Sequence, residues 1–354
     1  MTLRLLADDL TGAVDTAAAF CGAGPLPVLL TPPTQAPGSA MALDLACRDG
    51  DVAAAVAATM AAAPLLVGAN LAFLKIDSLL RGHWAAMLAA LWRGGGFRHC
   101  VLAPAFPEQG RVTRGGHQIV RDAAGAWQTL PCTLGASLAA AGVGDIQVHD
   151  AASAADLRAI VTKGRMMTGP LLWCGTAGLA HALADQPTPP MLAPLRRPVL
   201  AVIGSHHPLT QGQVRHLSEV TGLMPRRAHG TAAEAVLLDA DLQRGAAILT
   251  ADIAAGTARD QAAREIAAML RMLLPAIAPP ATLIVTGGET LRALCQALAV
   301  ATLEVDSAFA PGIPCGRLVG GAWDGVRFLS KSGAFGTPDL LARIFLTVVD
   351  FDRF

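Results

Sequence analysis

The sequence predicts an α/β fold: two α/β domains with mainly parallel sheets and an interdomain cleft. Short runs rich in Leu, Val and Ile alternate with helix-length segments, which is typical of parallel strands joined by crossover helices. The length of 354 residues suits two domains that each bury a core. The Pro-rich segment at residues 185–198 lacks hydrophobic periodicity and indicates a linker. We therefore predict an N-terminal domain at residues 1–190 and a C-terminal domain at residues 191–354.

The predicted elements follow this alternation in both halves. In the first half, apolar runs predict strands at residues 3–6, 27–30, 71–76, 99–103, 146–149 and 171–174. In the second half, they predict strands at residues 199–203, 246–252 and 282–288, with helices that include residues 259–274 and 289–298. Both halves therefore contain the strand–helix–strand units from which parallel sheets are built.

The charge balance argues against a nucleic-acid partner. Lys plus Arg and Asp plus Glu number 27 each, so the chain lacks the net positive field that attracts nucleic acid. The seven cysteines are scattered without C-x-x-C or paired His spacing, so neither a disulfide framework nor a zinc site is expected. We expect a small-molecule partner instead.

Neither a secretory signal nor a membrane span is expected. Asp8 and Asp9 interrupt the N-terminal apolar run where a signal peptide would continue. The uncharged run at residues 52–74 has the length of a span, but Pro64 and Gly68 break it. We interpret the run as a buried helix followed by a strand, in a cytoplasmic protein with no membrane partner.

Negative charge is concentrated at the end of the first predicted strand. In ADDLTGAVD, Asp8 and Asp9 follow the strand, and Asp15 is predicted in the first turn of an Ala-rich helix. Open α/β sheets bind ligands beyond the carboxyl ends of their strands. This acidic turn is therefore a candidate ligand site.

A second polar group follows the strand predicted at residues 71–76. The segment KIDSLLRGH contains Lys75, Asp77, Ser78 and Arg81. These residue types suit a small polyhydroxy acid, because cations bind its carboxylate while the acid and the hydroxyl bond its hydroxyl groups. A loop ion pair with a helix N-cap explains the same residues equally well.

The segment PAFPEQGRVTRGGHQIV, residues 104–120, follows the strand predicted at residues 99–103. It carries Arg111 among several polar side chains and contains a pair of glycines. Long polar loops after buried strands are often functional. The alternative is a surface turn before a hairpin.

Glycines follow a predicted strand in LIVTGGETLRAL, residues 283–294. Gly287 and Gly288 allow the backbone to approach a ligand closely, and the N–H groups of the following helix N-terminus favour a phosphate. Glu289 or Thr290 serves equally well as an ordinary helix cap.

Two further strand–glycine–helix junctions lie in the second half. In IGSHHPLTQGQ, Ser205 ends a strand and Thr210 is placed to open a helix. In KSGAFGTPDLL, Lys331 precedes a loop that contains Gly333, and Thr337 with the proline after it is typical of a helix start. The three junctions together resemble a nucleotide phosphate site, although the Walker G-x-x-x-x-G-K-[ST] motif is absent.

The order of these segments resembles that of the four-carbon acid sugar kinases. ADDLTGAVD, ALDLACR, KIDSLLRG, PAFPEQGR, IGSHHPLTQGQ, TGGET, PGIP and KSGAFG occur in the family order over nearly the whole chain. The resemblance implies an N-terminal domain that binds a sugar acid and a C-terminal domain that binds ATP. It implies the substrate residues Asp8, Asp9, Arg48, Lys75, Asp77, Ser78 and Arg81, to which we add Arg111. It implies the nucleotide residues Ser205, Gly287, Gly288, Glu289, Thr290 and Gly333, with Lys331 offsetting phosphate charge.

The implied reaction moves the γ-phosphoryl group of ATP to a terminal hydroxyl of threonate, erythronate or 3-oxo-tetronate. Such a transfer needs a phosphate cradle, Mg²⁺ and a carboxylate that orients or deprotonates the hydroxyl. Asp9 and Asp77 are the candidate carboxylates, and the sequence does not choose between them. Lys75 and Arg81 are expected to bind the substrate carboxylate, and the metal ligands are left unassigned.

Four residues depart from the family pattern: Leu79, His83, His207 and Glu289 stand where Thr, Asn, Ser and Asp are usual. They leave open a kinase for another small hydroxy acid, or a catalytically weak relative that binds a sugar acid or a nucleotide. A dinucleotide-dependent oxidoreductase would need G-x-G-x-x-G after the first strand, where this chain has ADDLTG. A homodimer is one assembly that the sequence leaves open.

Overall fold

The computed structural model describes residues 2–33, 38–122, 125–184, 186–191, 194–254 and 256–348. The chain divides into two compact units, Met1–Thr188 and Pro189–Phe354, which we call unit 1 and unit 2. Asp185, Leu192 and Ala193 of the predicted linker lie outside the described residues. Both units are mixed α/β structures with mainly parallel sheets, as the sequence predicts.

Unit 1 alternates strands and helices along most of its length. Its strands are β1 Leu3–Ala7, β2 Leu26–Leu29, β3 Ala40–Asp44, β4 Leu71–Lys75, β5 His99–Ala103, β6 Arg111–Arg114, β7 His117–Arg121, β8 Trp127–Thr133, β9 Gln147–Val148 and β10 Leu171–Gly175. Its helices are α1 Leu10–Phe20, α2 Val52–Ala62, α3 Trp84–Gly94, α4 Leu134–Ala140, α5 Ala154–Arg165 and α6 Ala177–Leu183.

The parallel sheet of unit 1 has the strand order β2-β3-β1-β4-β10-β5-β9. From β1 the chain leads through α1 to β2 on one side, whereas from β4 it leads through α3 to β5 on the other side. Leu74 faces the core that α2, α3 and α4 cover, and the adjacent Phe73 contacts Phe20 of α1 on the opposite face. The chain therefore reverses its direction between β1 and β4, and a crevice at such a point is where open α/β sheets bind ligands.

The segment after residue 103, which was predicted as a long polar loop, contains strands of a separate antiparallel sheet with the order β6-β7-β8. Gly115 and Gly116, with φ of 56° and 71°, form the two-residue turn that joins β6 to β7. Tight hairpin turns of this kind need positive φ at both positions, which glycine adopts without strain. The segment thus contains the hairpin of the alternative interpretation, and Arg111 is the first residue of β6.

Unit 2 repeats the alternation. Its strands are β11 Val199–Ile203, β12 Arg226–Ala228, β13 Ala246–Ala251, β14 Thr282–Thr286, β15 Thr302–Ala310, β16 Ile313–Val319 and β17 Arg327–Lys331. Its helices are α7 Pro208–Thr221, α8 Ala232–Gln243, α9 Arg259–Leu273, α10 Gly288–Ala297 and α11 Leu340–Leu346.

The sheet of unit 2 has the strand order β12-β13-β11-β14-β17-β16-β15. The strands from β12 to β17 in this order are parallel, and β16 and β15 continue the sheet in antiparallel fashion. Ile203, Thr286 and Lys331 are aligned at the carboxyl ends of β11, β14 and β17. From β11 the chain leads to β12 on one side and from β14 to β15 on the other, so the reversal of unit 2 lies between β11 and β14.

Three expectations about helices were wrong. Asp15 lies in the second turn of α1, because Asp9 is the N-cap and the helix begins at Leu10. Helix α7 begins at Pro208, so Thr210 lies inside its first turn. Helix α11 begins at Leu340, after Thr337 and its proline, because Asp339 takes the N-cap position.

One prediction from apolar content also needs correction, and one strand of unit 1 beside β1 was not predicted. Helix α2 is mostly exposed and buries only Ala55, Thr59 and Ala62, because an Ala-rich run has no hydrophobic periodicity from which burial could be predicted. Strand β3 was missed, and its residues Ala40–Asp44 precede Arg48. The run that begins at Val52 does form a helix before a strand, and none of the helices described here is long and apolar enough to cross a membrane.

Candidate active site

Arg48 connects the two acids that follow β1. Its Nε and Nη2 donate to the carboxylate of Asp8 at 2.9 and 2.8 Å, and its Nη1 and Nη2 donate to Asp9 at 2.5 Å each. The backbone N–H of Arg48 also donates to the carbonyl of Asp8 at 3.1 Å. Burial raises the pKa of Asp8, while the carboxylates around Arg48 raise the pKa of its guanidinium against the effect of burial. The segment after β3 is thereby fixed to the end of β1.

Asp77, which follows β4, is the third carboxylate of this group. Arg81 donates to it through Nε at 2.7 Å and Nη2 at 2.9 Å, and Arg48 Nη1 lies 3.7 Å away. Burial alone would raise the pKa of Asp77, but the hydrogen bonds from Arg81 and the charge of Arg48 hold it well below its usual range. Asp77 is therefore an ionised acceptor in this structure.

Lys75 and Asp15 are the two charged groups of the site that lack a hydrogen-bonded or ion-paired partner among the residues described. Lys75 is 5% exposed, and Asp15 is 6% exposed. The ammonium of Lys75 lies against α1, only 2.7 Å from where a Cβ on Gly12 would be. Burial raises the pKa of Asp15 to about 6, opposed by Lys75. Buried charges without a partner destabilise a fold, so Lys75 and Asp15 together indicate a ligand-binding site.

The β6–β7 hairpin supports the same site. Gln118, fully buried on β7, donates through Nε2 to the carbonyls of Ser78 at 3.0 Å and Pro104 at 3.2 Å, and accepts from Thr113 Oγ1 at 2.9 Å. Arg111 donates to the carbonyl of Gln109, and burial lowers its pKa against the charge of Asp77. Sequence reasoning missed Gln118, because nothing in its local pattern marks a contact with Ser78.

Two departures from the family pattern lie in the loop after β4. The N–H of Leu79 donates to Asp77 Oδ2 at 3.2 Å, so residue 79 takes part in the site through its backbone. His83 Nε2 is 2.7 Å from the carbonyl of Gly50, which connects this loop to the segment after β3. Both contacts help to hold the loop that carries Asp77.

In unit 2, the three glycine junctions meet at the carboxyl ends of β11, β14 and β17. The N–H of Gly204 donates to the carbonyl of Thr286, and the N–H of Gly287 donates to the carbonyl of Lys331. A Cβ on Gly333 would overlap Ser205 Oγ, and a Cβ on Gly204 would overlap Thr290 Oγ1. The glycines therefore allow these loops to pack together. We call Ser205, Gly287, Gly288 and Gly333 the cradle.

Helix α10 points its N-terminus into the cradle. Gly287 is its N-cap residue with φ of 98°, and no side chain within the described ranges caps the helix. Gly288 and Glu289 are the first helical residues, Glu289 is exposed, and Thr290 is buried. Uncapped N–H groups at a helix N-terminus bind anionic groups such as phosphates.

Lys331 reaches the cradle through Thr210. Lys331 is 1% exposed, its ammonium donates to Thr210 Oγ1 at 3.1 Å, and that hydroxyl donates to the carbonyl of Gly333 at 2.7 Å. Burial lowers the pKa of Lys331 to about 8. Lys331 is therefore connected to the Gly333 loop through Thr210. The sequence did not predict this connecting role of Thr210.

His207 stands where the family usually has Ser, and it caps α7. Its Nδ1 accepts from the N–H of Leu209 at 3.2 Å, and its own N–H donates to Ser205 Oγ at 3.2 Å. A serine at an N-cap accepts from the same position of a helix. His207 therefore supplies the cap of α7 beside the cradle.

The described residues contain no group of three or more His, Cys, Asp or Glu side chains that could hold a metal ion.

Comparison with known proteins follows the same division. A family model described as a sugar-binding N-terminal domain matches residues 3–130, and one described as a nucleotide-binding C-terminal domain matches residues 200–341. A curated protein of Cupriavidus necator named D-threonate kinase is 30% identical, with 96% of each chain covered. A second D-threonate kinase, from Bordetella bronchiseptica, is 28% identical over 96% of each chain.

Solved structures share the fold. A Salmonella typhimurium LT2 crystal structure matches 97% of this chain and 98% of its own, with a TM-score of 0.74 and 20% identity. A Haemophilus influenzae protein of the DUF1537 family matches 97% of this chain and 99% of its own, with a TM-score of 0.67 and 19% identity. The likeness to the curated relatives over almost the full length shows that this chain belongs to the four-carbon acid sugar kinase family and is a phosphotransferase.

Proposed function

We propose that this enzyme transfers the γ-phosphoryl group of ATP to the terminal hydroxyl of a four-carbon sugar acid, with D-threonate as its substrate. The names of the curated relatives support D-threonate over erythronate and 3-oxo-tetronates. The observation that carries the proposal is the unpaired ammonium of Lys75 beside acids and arginines that are paired with one another. A ligand carboxylate would neutralise this cation.

The sugar acid would bind at the solvent-exposed side of the acids and arginines that surround Lys75. The side chain of Arg81 is 45% exposed, so its guanidinium can pair with a ligand carboxylate together with Lys75. Asp8 is 1% exposed and holds Arg48 in place, so we assign it a positioning role. Ser78 lies in the loop that Gln118 holds, where its hydroxyl is available to a substrate hydroxyl. Arg111 adds positive charge near Asp77.

Between the two candidate carboxylates, we favour Asp9 as the group that orients and deprotonates the hydroxyl. A general base works best when its pKa is near the working pH. The pKa of Asp77 is held well below its usual range by Arg81 and Arg48, which makes Asp77 a weak proton acceptor. Asp77 would instead hold the side chain of Arg81 in place, and Arg81 would bind the substrate carboxylate.

The cradle would hold the phosphates of ATP. Ser205, Gly333 and the N-terminus of α10 with Gly287 and Gly288 would donate to the phosphate oxygens. Lys331 would hold the Gly333 loop through Thr210, while Glu289 and Thr290 lie in the first turn of α10. Bound Mg²⁺ would neutralise charge that develops on the transferring group. Because ATP is the second substrate, we place the enzyme in the cytoplasm.

The test is ADP release by the purified enzyme with ATP and Mg²⁺ against a panel of acids. The panel contains D- and L-threonate, D-erythronate, 3-oxo-tetronates and longer aldonates. We expect the highest kcat/KM with D-threonate. A higher kcat/KM with another acid would overturn the substrate assignment, and acid-independent ADP release would overturn the kinase proposal.

A further inference from the structure

Asp15 is a buried carboxylate of unit 1 to which the proposed binding of the sugar acid assigns no contact. It lies in the second turn of α1 and is 6% exposed. Within the part of the chain that the structure describes, Asp15 has neither a hydrogen-bonded nor an ion-paired partner. A carboxylate buried to this degree is normally paired or hydrogen-bonded. Its missing partner therefore points to a bound molecule.

Lys75 leaves β4 on the face of the sheet that α1 covers. Phe73, two residues earlier in the strand, contacts Phe20 of α1, and alternate residues of a strand point to the same face. Lys75 Nζ lies 2.7 Å from the position that a Cβ on Gly12 would take, and Asp9 Oδ1 lies 2.6 Å from the same position. The missing side chain of Gly12 therefore allows the ammonium and the carboxylate to approach one point of α1.

Asp15 lies on the same side of α1 as Gly12, because residues three apart on a helix are neighbours on its surface. The carboxylate of Asp15 is therefore close to the ammonium of Lys75. Their charges act on each other: burial raises the pKa of Asp15 to about 6, Lys75 lowers this pKa, and Asp9 raises it. Lys75 and Asp15 nevertheless form neither a hydrogen bond nor an ion pair with each other. A small polar group can therefore bridge the two charges.

A hydroxyl group matches this arrangement, because its oxygen accepts from an ammonium while its hydrogen is donated to a carboxylate. A second carboxylate would be repelled by Asp15, and an apolar group would leave both charges without a partner. In the proposed function Lys75 binds the carboxylate of the sugar acid. The hydroxyl nearest to that carboxylate is the one on C2, the carbon to which the carboxylate is attached.

We infer that Asp15 is a specificity residue for C2 of the sugar acid: its carboxylate accepts from the C2 hydroxyl, and the oxygen of that hydroxyl accepts from Lys75. The inference rests on the proposed function, because it assumes a sugar acid whose carboxylate binds Lys75. D-Threonate and D-erythronate differ only in the configuration at C2, so only one of them directs its hydroxyl between the two charges. A site built to bond a hydroxyl rejects an analogue that does not present it.

The test compares kcat/KM of wild type and Asp15→Ala for D-threonate, D-erythronate and 3,4-dihydroxybutanoate, which has the same configuration at C3 and no hydroxyl on C2. We expect wild type to prefer D-threonate over each of the other acids by at least about a hundredfold. Asp15→Ala should reduce both preferences to less than about tenfold, by lowering kcat/KM for D-threonate. Its kcat/KM for 3,4-dihydroxybutanoate should not fall. Alanine is the best helix former, so α1 is retained.

Thr16→Val is the matched control. Thr16 is the next residue of α1, it is fully buried, and its Oγ1 has no hydrogen-bond partner among the described residues. The control therefore removes a buried polar atom without reaching the ligand, and it should keep both preferences. Preferences that are absent from wild type, unchanged in Asp15→Ala, or accompanied by an equal loss for all three acids would overturn the inference and leave the kinase proposal standing. A wild type that phosphorylates none of the acids would overturn both.

Discussion

Arg48 is the residue on which the acid site depends most. It donates to two carboxylates with both edges of its guanidinium and lies near a third, so three segments of unit 1 meet on one side chain. A lysine keeps the charge but cannot bond Asp8 and Asp9 in this planar arrangement. The geometry of the guanidinium, more than its charge, therefore holds the site together.

We predict that Arg48→Lys lowers kcat/KM for the acid about ten- to hundredfold and unfolding stability by about 1–3 kcal/mol. Steady-state kinetics and urea unfolding measure the two effects. Arg93→Lys, at a residue that donates to the carbonyl of Ala141 on the surface, is the control and should change neither. Wild-type kinetics in Arg48→Lys would contradict the role assigned to the guanidinium.

Asp15 makes a pH-dependent contribution to stability. Its pKa is about 6 in the folded protein against an ordinary value of 3.8, so the folded state binds this proton more tightly. The stabilising contribution of protonated Asp15 is fully present below pH 3.8 and is lost as the pH rises through 6. At neutral pH the charged Asp15 therefore destabilises the fold, which is a cost typical of functional sites.

We predict that Asp15→Asn gains stability relative to wild type between pH 4 and pH 7.5, by up to about 3 kcal/mol. Urea unfolding of both proteins across this range gives the difference. Glu265→Gln, at an exposed acid of α9, should show no such trend. A difference that is constant with pH would mean that Asp15 titrates normally.

The sequence could predict which residues carry charge at the strand ends, because Asp8, Asp9 and Asp77 directly follow apolar runs. It could not predict that Lys75 would lie unpaired against α1, which depends on the missing side chain of Gly12. It also could not show that Lys331 is buried, since a lysine at a strand end has the same local pattern in either case.

At the scale of elements, the β6–β7 hairpin holds the loop after β4 through Gln118. This single side chain makes three hydrogen bonds, two of them to carbonyls of other segments. Buried polar groups that lose their partners destabilise a fold. The hairpin thus acts as a support for Ser78.

We predict that Gln118→Leu lowers unfolding stability by about 2–4 kcal/mol and raises the KM for the acid. Chemical unfolding and kinetics at a temperature well below the Tm separate these effects. Gln128→Leu on β8, where the side chain is exposed and bonds Asp122, is the matched control. Equal losses in both variants would argue against a specific role for Gln118.

Most strands could be predicted from apolar runs, and β5 and β11 have the predicted bounds. Helix starts were less accurate. The start of α7 at Pro208 depends on His207, whose ring nitrogen serves as a cap although histidine is not a usual cap residue. The hairpin could not be distinguished from a loop, because its residues pair with each other and not with the main sheet.

At the scale of the whole molecule, each unit has a reversal of its parallel sheet, and the candidate residues follow the strands at that point. In unit 1 these are the acids and cations after β1 and β4, and in unit 2 the glycines after β11 and β14. Open α/β sheets generally bind a ligand where the strand order reverses, so we expect one ligand site in each unit. The sequence could predict a mainly parallel sheet in each half, because both halves repeat the strand–helix alternation.

We predict that D-threonate and ATP each raise the Tm, and that the two effects can be removed separately. A ligand at a hundred times its Kd stabilises by about 2.7 kcal/mol. Arg81→Gln should remove the shift caused by D-threonate and retain the shift caused by ATP, while Gly333→Ala should do the reverse. A loss of both shifts in either variant, with a normal Tm without ligand, would contradict the assignment of one ligand to each unit.

The measurement that tests the central claim most directly is phosphorus-31 NMR of wild type and Asp9→Asn incubated with ATP, Mg²⁺ and D-threonate. The account predicts a new phosphomonoester resonance with wild type, and a rate at least about a hundredfold lower with Asp9→Asn, because general base catalysis contributes on this scale. Release of inorganic phosphate without a phosphomonoester, or undiminished ester formation by Asp9→Asn, would contradict it.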